Sequence, residues 1–305
     1  MKAADAIRNQ QRAWAKRHGI VCDSRGYVAS LEQNLYSFPM DPETRLAFES
    51  ARNRELRTSA GQGRMRAVDS SSALLVNFFE YWIRRGVSGI AGACGATHPM
   101  TFMRFLPAFP SPLRDTRHTH MDLEFTGVGT PLLVQSTFCE SYHRFKDRRI
   151  GTPYLKDAAL WRQLPRCEDL ARRIEEDAEV RAHYLYLDAP RLLKHIAGLT
   201  SRCGVNGFQL LYLWYDLPSA ESDKHKEEIR EFTDCVGKEV LISQMSYQQL
   251  FQAVRQLPGV EPGYLSYLRE RYFPEVGHEA SKRQMEAAVR GRFSADLSEV
   301  PWVYR

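Results

Sequence analysis

Two short segments of alternating residues flank a glycine-rich turn within residues 118–140, and this pattern predicts a β-hairpin. Folding the chain at its Gly-Val-Gly-Thr turn sets Glu124 opposite Leu133. Continuing the same register sets Asp122 opposite Gln135. A one-residue slip would move every side chain to the other face of its strand, so the register is a strong constraint on the fold.

The predicted register also decides which polar side chains lie together. Side chains alternate between the two faces of a strand, so Asp122 and Glu124 share one face of the hairpin. Gln135 and Thr137 likewise share a face of the partner strand. Carboxylate and carbonyl oxygens are the ligands that a hard cation such as Mg²⁺ prefers. The hairpin is therefore the first place to look for a functional site.

The composition is that of a chain with enough apolar residues to bury a core. It has 305 residues, of which 43% are hydrophobic, and no apolar run approaches the roughly 20 residues that span a bilayer. The N-terminal residues lack the apolar region of a signal peptide. Six cysteines without a Cys-x-x-Cys pair argue against a zinc ribbon and against a disulfide framework. We expect a cytoplasmic protein with free thiols and no membrane partner.

The charge permits a nucleic-acid partner without requiring one. The formal net charge is +5, and only nine of the 42 basic residues are lysines. The arginine side chain presents a planar fork that matches phosphate geometry. A GC-rich genome would enrich arginine in the same way, so charge alone does not decide between the two explanations.

Helix and strand patterns alternate along the chain. Residues 208–215 are apolar on both faces, which predicts a central strand covered by helices. A second short strand is predicted at 239–242, and residues 87–117 are predicted to be loops. Helices are predicted at 2–18, 42–57, 70–86, 156–199 (broken near two prolines), 222–236, from 246, 262–273 and 279–290. This order predicts a single α/β domain, with a mixed central β-sheet flanked by helices.

Several blocks of the sequence resemble a bacterial family of restriction-endonuclease-like proteins within the PD-(D/E)XK nuclease superfamily. The similarity covers about residues 27–273. It implies a mixed sheet of four or five strands, with a nuclease-like core at about 40–273, an N-terminal helical extension at 1–39 and a C-terminal helical tail at 274–305. The blocks are Arg54–Leu56, Gly63–Trp82, Met121–Glu124, Leu192–His195, Leu210–Asp216 and Tyr264–Tyr272.

The resemblance also implies an activity, which is metal-dependent hydrolysis of DNA phosphodiester bonds with Mg²⁺ or Mn²⁺. In that family the hairpin carries Asp on its first strand and Glu-x-Lys on its second. Matching these positions places the Asp on Asp122, the Glu on Gln135 and the Lys on Thr137. An additional acid from an earlier helix corresponds to Glu55. Restriction enzymes often cut as dimers, so the resemblance leaves a homodimer open.

Two of the three core positions depart from the family pattern, and other residues must then supply their charges. Asp122 together with Glu55, or with Glu124, could hold the cation. Gln135 would be a neutral ligand, because its amide offers a carbonyl oxygen without a negative charge. We therefore predict Asp122, Glu55, Glu124 and Gln135 as metal ligands.

The missing lysine needs a substitute, because the hydroxyl of Thr137 cannot carry the charge of an ammonium group. Lys194, on the helical segment after the hairpin, is the predicted catalytic replacement. Lys146, just beyond the second strand, is an alternative. Glu140 is expected to be a loop carboxylate outside the site.

Two other functions compete with an active nuclease. His118, His120 and Asp122 alternate along one strand, a spacing that zinc hydrolases use, but position 123 is leucine and no further ligand set is evident. The other alternative is a catalytically inactive nuclease fold that binds nucleic acid or a protein partner through the same surface.

Overall fold

The computed structural model describes residues 2–50, 55–56, 62–109, 112–113, 119–145 and 148–274. In these ranges the strands are β1 (Met100–Phe105), β2 (Ala108–Phe109), β3 (Thr119–His120), β4 (Leu123–Gly127), β5 (Leu132–Thr137), β6 (Gln209–Trp214) and β7 (Leu241–Ser246). The α-helices are α1 (Ala3–Arg17), α2 (Pro42–Ser50), α3 (Ser71–Phe79), α4 (Ser88–Ala93), α5 (Thr152–Lys156), α6 (Ala158–Trp161), α7 (Pro165–Glu176), α8 (Ala178–His183), α9 (Ala189–Cys203), α10 (Ala220–Val236), α11 (Tyr247–Val254) and α12 (Pro262–Tyr272).

Five of the strands form one mixed sheet, in the order β1-β4-β5-β6-β7. The β1–β4 and β4–β5 pairs are antiparallel, whereas β5–β6 and β6–β7 are parallel. Strands β2 and β3 pair separately. The predicted α/β class with a mixed central sheet flanked by helices is confirmed.

The β4–β5 hairpin has the predicted register. Glu124 pairs with Leu133, and the backbone N–H of Asp122 donates to the Val134 carbonyl oxygen over 3.0 Å. Asp122 therefore lies opposite Gln135. The end of β4 requires glycine, because a Cβ atom on Gly127 would lie 2.3 Å from the Pro99 carbonyl oxygen.

The predicted central strand is also confirmed. All six residues of β6 are buried, and the strand is paired on both sides. Its side chains alternate between two core clusters, with Leu211 and Leu213 in one and Leu210, Tyr212 and Trp214 in the other. Helices α3 and α11 contribute to the first cluster, and α7, α9 and α10 contribute to the second. The helices therefore cover both faces of the sheet, as continuous apolar strands require.

The prediction of loops at 87–117 is wrong, because this segment contains α4, β1 and β2. Strand β1 lies at the edge of the sheet, has an irregular register near Met100, and leaves Thr101, Phe102 and Arg104 exposed. A strand with one partner and half of its side chains in solvent lacks the apolar run of a central strand.

Other predicted boundaries differ from the structure. The helix predicted at 70–86 ends at Phe79 and continues as a 3₁₀ turn at Glu80–Trp82. The strand predicted at 239–242 lies at Leu241–Ser246. The predicted Ser246 start of α11 is confirmed by its capping box with Gln249. The predicted helix at 279–290 lies outside the described residues.

Two expectations from composition can be compared with the structure. All six cysteines are free thiols. Over the described ranges, no helix has both the length and the apolar character that crossing a membrane requires.

Candidate active site

Asp122 lies one residue before β4, where the hairpin holds its carboxylate in place. Its Oδ2 atom accepts a hydrogen bond of 2.6 Å from the backbone N–H of Ser136. The same oxygen accepts a second hydrogen bond from the side-chain amide of Gln135. The predicted pairing of Asp122 with Gln135 is thus a direct side-chain contact.

The structure brings the hairpin residues and Glu55 to one cavity of about 280 Å³. Asp122, Gln135 and Thr137 line it from the hairpin, and Glu55 lines it from a segment far away in sequence. Its other lining residues are Arg64, Ser71, Ser72, Ser136, Glu140, Ser141, Phe145, Arg148, Asp188, Arg191, Leu192 and Tyr212.

The side chain of Gln135 is buried with one polar atom unsatisfied. Its exposure is 3%, and its Nε2 atom donates to Asp122. Its Oε1 atom has no hydrogen-bond partner in the described part of the molecule. A buried carbonyl oxygen without a partner is costly, and such atoms in native structures call for an explanation. A cation or a donor group of a ligand in the cavity would satisfy this oxygen.

The carboxyl group of Asp122 is held in an environment that disfavours its charge. Burial raises its pKa to about 6, and the nearby charge of Glu140 acts in the same direction. Arg191 opposes this shift, as do the hydrogen bonds from Ser136 and Gln135. A cation bound in the cavity would favour the ionised form of Asp122.

Glu55 is a second buried acid on the same cavity. Burial raises the pKa of Glu55, while a hydrogen bond to Ser72 and the charge of Arg64 lower it. The charges of Glu140 and Asp122 raise it further. Like charges collected around one cavity are costly without a counter-ion, and they are common at functional sites.

The expectation that Glu140 lies outside the site is wrong. It lines the cavity, and its carboxylate accepts hydrogen bonds from Ser71 Oγ at 2.5 Å and from the backbone N–H of Phe138 at 3.0 Å. The reason is that β5 ends at Thr137 and the chain enters a 3₁₀ turn, which directs Glu140 towards the start of α3. A turn of this kind leaves no periodic signal in the sequence.

The structure does not bring Glu124 to the cavity. Its carboxylate is buried and forms a salt bridge with Arg104 of β1. The prediction of Glu124 as a metal ligand overlooked this partner, because β1 was not predicted as a strand. Asp122 and Glu124 share a strand face, but only Asp122 reaches the end of the hairpin that borders the cavity.

Lys194 does not line the cavity either. Its Nζ atom lies 3.4 Å from the Arg149 carbonyl oxygen and 5.3 Å from the centre of the Tyr154 ring. Burial lowers the pKa of this amine. The cavity instead contains the arginines Arg64, Arg148 and Arg191. Arg191 lies on the same helix as Lys194, one turn earlier, and of these two residues only Arg191 lines the cavity.

Neither a zinc site nor a closed magnesium cage is formed by the described side chains. Within the described ranges, no three His, Cys, Asp or Glu side chains converge closely enough to hold a metal ion. His120 is exposed on β3, and His118 and Lys146 lie outside the described residues. The oxygens of Asp122, Glu55 and Gln135 nevertheless fit the chemistry of Mg²⁺, which retains water ligands and needs only one or two carboxylates.

Comparisons with protein-family models, with curated proteins and with solved structures find no match for this chain. The family resemblance therefore depends on the sequence blocks alone.

Proposed function

We propose that this protein is a cytoplasmic PD-(D/E)XK-like nuclease that hydrolyses DNA phosphodiester bonds with Mg²⁺ or Mn²⁺. One observation carries the proposal. Asp122 and Gln135 of the hairpin and Glu55 from a distant segment line the same cavity, in the combination that the family resemblance implies. The free thiols are consistent with a reducing compartment.

The cation would be held by Asp122 and Glu55, with the Gln135 carbonyl oxygen as a neutral ligand. When bound, it neutralises charge on the phosphate and lowers the pKa of a water molecule. The protein's own contribution is to fix the ligands. Both hydrogen bonds to Asp122 end on Oδ2, which leaves Oδ1 for a ligand in the cavity.

Glu140 and Ser72 hold the rest of the cavity wall. Ser71 and the backbone N–H of Phe138 fix the Glu140 carboxylate, and Ser72 is hydrogen-bonded to Glu55. These contacts hold Glu140 and Glu55 on the cavity wall. A cation bound in the cavity would be attracted by both carboxylates.

The test is cleavage of plasmid, linear and single-stranded DNA at pH 8 with Mg²⁺ or Mn²⁺. We expect Asp122→Ala to lower the rate at least about a hundredfold, because it removes the central ligand. Asp223→Ala is the matched control, since this carboxylate on α10 is 78% exposed and does not line the cavity. The absence of metal-dependent cleavage of every DNA form by the wild type would refute the proposal.

A second candidate function is nucleic-acid binding without catalysis. It is favoured by Thr137, which occupies the position of the family's lysine, and by the Asp122–Gln135 hydrogen bond, which satisfies the acid internally. This candidate predicts DNA retention that weakens steeply with salt, with no cleavage in either metal. A homodimer remains a prediction from the resemblance, and sedimentation would test it.

A further inference from the structure

The arginines Arg64, Arg148 and Arg191 line the cavity that also contains Thr137. We infer that Arg191, together with Arg148, forms a phosphate-binding subsite, and that Arg191 supplies the positive charge that Thr137 cannot provide. Its part in hydrolysis rests on the proposed nuclease function, but the binding of a phosphate group does not. The ligand class is therefore a phosphate, either free or within a polynucleotide.

The Arg191 guanidinium is available to bind a ligand. Arg191 lies in the first turn of α9, where its backbone N–H donates to Asp188 over 3.3 Å. Its side chain is exposed, and within the described part of the chain the guanidinium forms no hydrogen bond or salt bridge to another residue. All of its N–H donors are free to bind a ligand in the cavity that it lines.

Arg148 lines the same cavity as Arg191 and forms a salt bridge with Asp188. Burial lowers the pKa of Arg148, and so does the charge of Arg191. Because Asp188 already pairs with Arg148, a phosphate bound by Arg191 would offset the charge of Arg191 and reduce its repulsion with Arg148.

Arg191 lies on the same cavity as Asp122, Thr137 and Tyr212. Its charge lowers the pKa of Asp122 and that of Tyr212. Tyr212 pairs with Gln135 across β5 and β6. Arg191 therefore acts on two side chains that line the cavity together with Thr137, the position that the family fills with lysine.

The shape and charge of an arginine side chain match a phosphate ligand. Arginine presents parallel N–H groups that bind two phosphate oxygens together, which a threonine hydroxyl cannot do. The cavity also contains the carboxylates of Glu55, Asp122, Glu140 and Asp188. Their charge weakens the binding of a free anion, so a divalent cation is expected to increase phosphate affinity.

The experiment is calorimetric titration of the full chain with inorganic phosphate, with and without Mg²⁺. We expect Arg191→Ala to weaken phosphate binding by about tenfold and Arg191→Lys to weaken it less. Arg202→Ala is the matched control, because Arg202 is exposed on the same helix and lies outside the cavity. Thermal unfolding of each variant verifies folding. Absent binding by the wild type, or equal affinity in Arg191→Ala, would overturn the subsite.

Duplex DNA distinguishes a polynucleotide phosphate from a free one. If Arg191 contacts a backbone phosphate, Arg191→Ala should reduce the slope of log affinity against log salt by about 0.9. An unchanged slope with weakened phosphate binding would overturn its role on DNA.

Failure of this inference differs from failure of the proposed nuclease. If phosphate affinity depends on Arg191 but no DNA is cleaved, the subsite stands and the nuclease falls. If Asp122→Ala abolishes cleavage while Arg191→Ala keeps both phosphate affinity and rate, only the subsite is refuted.

Discussion

The buried guanidinium of Arg271 and the pair formed by half-buried Asp122 and buried Gln135 are charged or polar groups in opposite situations. Arg271 is fully buried and has no acidic partner among the described residues, yet each of its N–H groups has an acceptor or faces an aromatic ring. Gln135 is buried with an unsatisfied oxygen, and Asp122 lies among other acids. The first arrangement is satisfied within the protein, whereas the second leaves a polar atom that a ligand in the cavity would satisfy.

The Arg271 network joins the two ends of the described chain. Arg271 lies on α12, its guanidinium is 4.4 Å from the Trp14 ring of α1, and its carbonyl oxygen accepts from Gln11 over 2.9 Å. The acceptors of its side-chain hydrogen bonds are Gln11 Oε1, the Asn34 carbonyl oxygen, Asn34 Oδ1, Tyr267 Oη and the Val68 carbonyl oxygen. A fully satisfied polar network makes neighbouring elements rigid, so we assign Arg271 a structural role.

The largest expected effect is that of Arg271→Met on stability. Methionine replaces the stem of the side chain but leaves several buried acceptors unpaired, so we expect a loss of about 3 kcal/mol or more in the free energy of unfolding. Denaturant unfolding followed by fluorescence measures this. Arg269→Met, at an exposed position on the same helix, should change stability by less than about 0.5 kcal/mol. Equal effects of the two substitutions would show that the network does not stabilise the fold.

Asp122→Asn is expected to increase the free energy of unfolding, whereas Arg271→Met decreases it. The folded pKa of about 6 lies above the unfolded value of about 3.9. At about pH 3 the carboxyl is mostly protonated in both states and its burial is not penalised. As the pH rises from about 3 to 6, the unfolded state loses its proton before the folded state does, so stability falls. Asp122→Asn should therefore gain about 1–2 kcal/mol at pH 8 and almost nothing at about pH 3, while losing cleavage. A loss of stability at pH 8 would contradict this.

Glu80→Gln is the control that separates a raised pKa from a functional site. Burial raises the pKa of Glu80 to about 7, and its Oε2 atom has no partner in the described structure. Glu80 does not line the cavity. Between about pH 4.5 and 7 the unfolded state loses the Glu80 proton that the folded state keeps, so stability falls over this range. Glu80→Gln should therefore also gain stability at pH 8. DNA cleavage should be unchanged. A loss of cleavage comparable to that of Asp122→Asn would mean that Glu80 also belongs to the functional site.

The sequence predicted local structure correctly where a regular pattern of residues coincides with burial. Alternation on both sides of a glycine turn predicted the register that joins Asp122 and Gln135. An apolar run predicted β6, and a Ser-x-x-Gln spacing predicted the start of α11. In each case, a period of 2 or a cap at fixed spacing leaves only one arrangement that buries the apolar side chains.

The sequence did not predict the position of a side chain where a contact without a regular spacing determines it. The edge strand β1 was missed, and with it Arg104, the partner of Glu124. The turn that brings Glu140 to the cavity has no period. Arg191 and Lys194 are three residues apart on one helix, and tertiary packing determines which of two long cationic side chains reaches the cavity.

The smallest expected effect is that of Glu124→Gln, which separates a metal ligand from a partner of Arg104. The Arg104 side chain is 50% exposed, so losing this salt bridge should cost only about 0.5–1 kcal/mol. Binding of Mn²⁺, measured by the metal-dependent rise in the unfolding temperature, should be unchanged. Glu55→Gln removes a carboxylate that lines the cavity and should weaken Mn²⁺ binding. If Glu124→Gln weakens Mn²⁺ binding as much as Glu55→Gln does, then Glu124 as well as Asp122 binds the ion. Glu124 would then have to leave its salt bridge with Arg104 to bind the cation, and the metal site would extend beyond the residues that line the cavity.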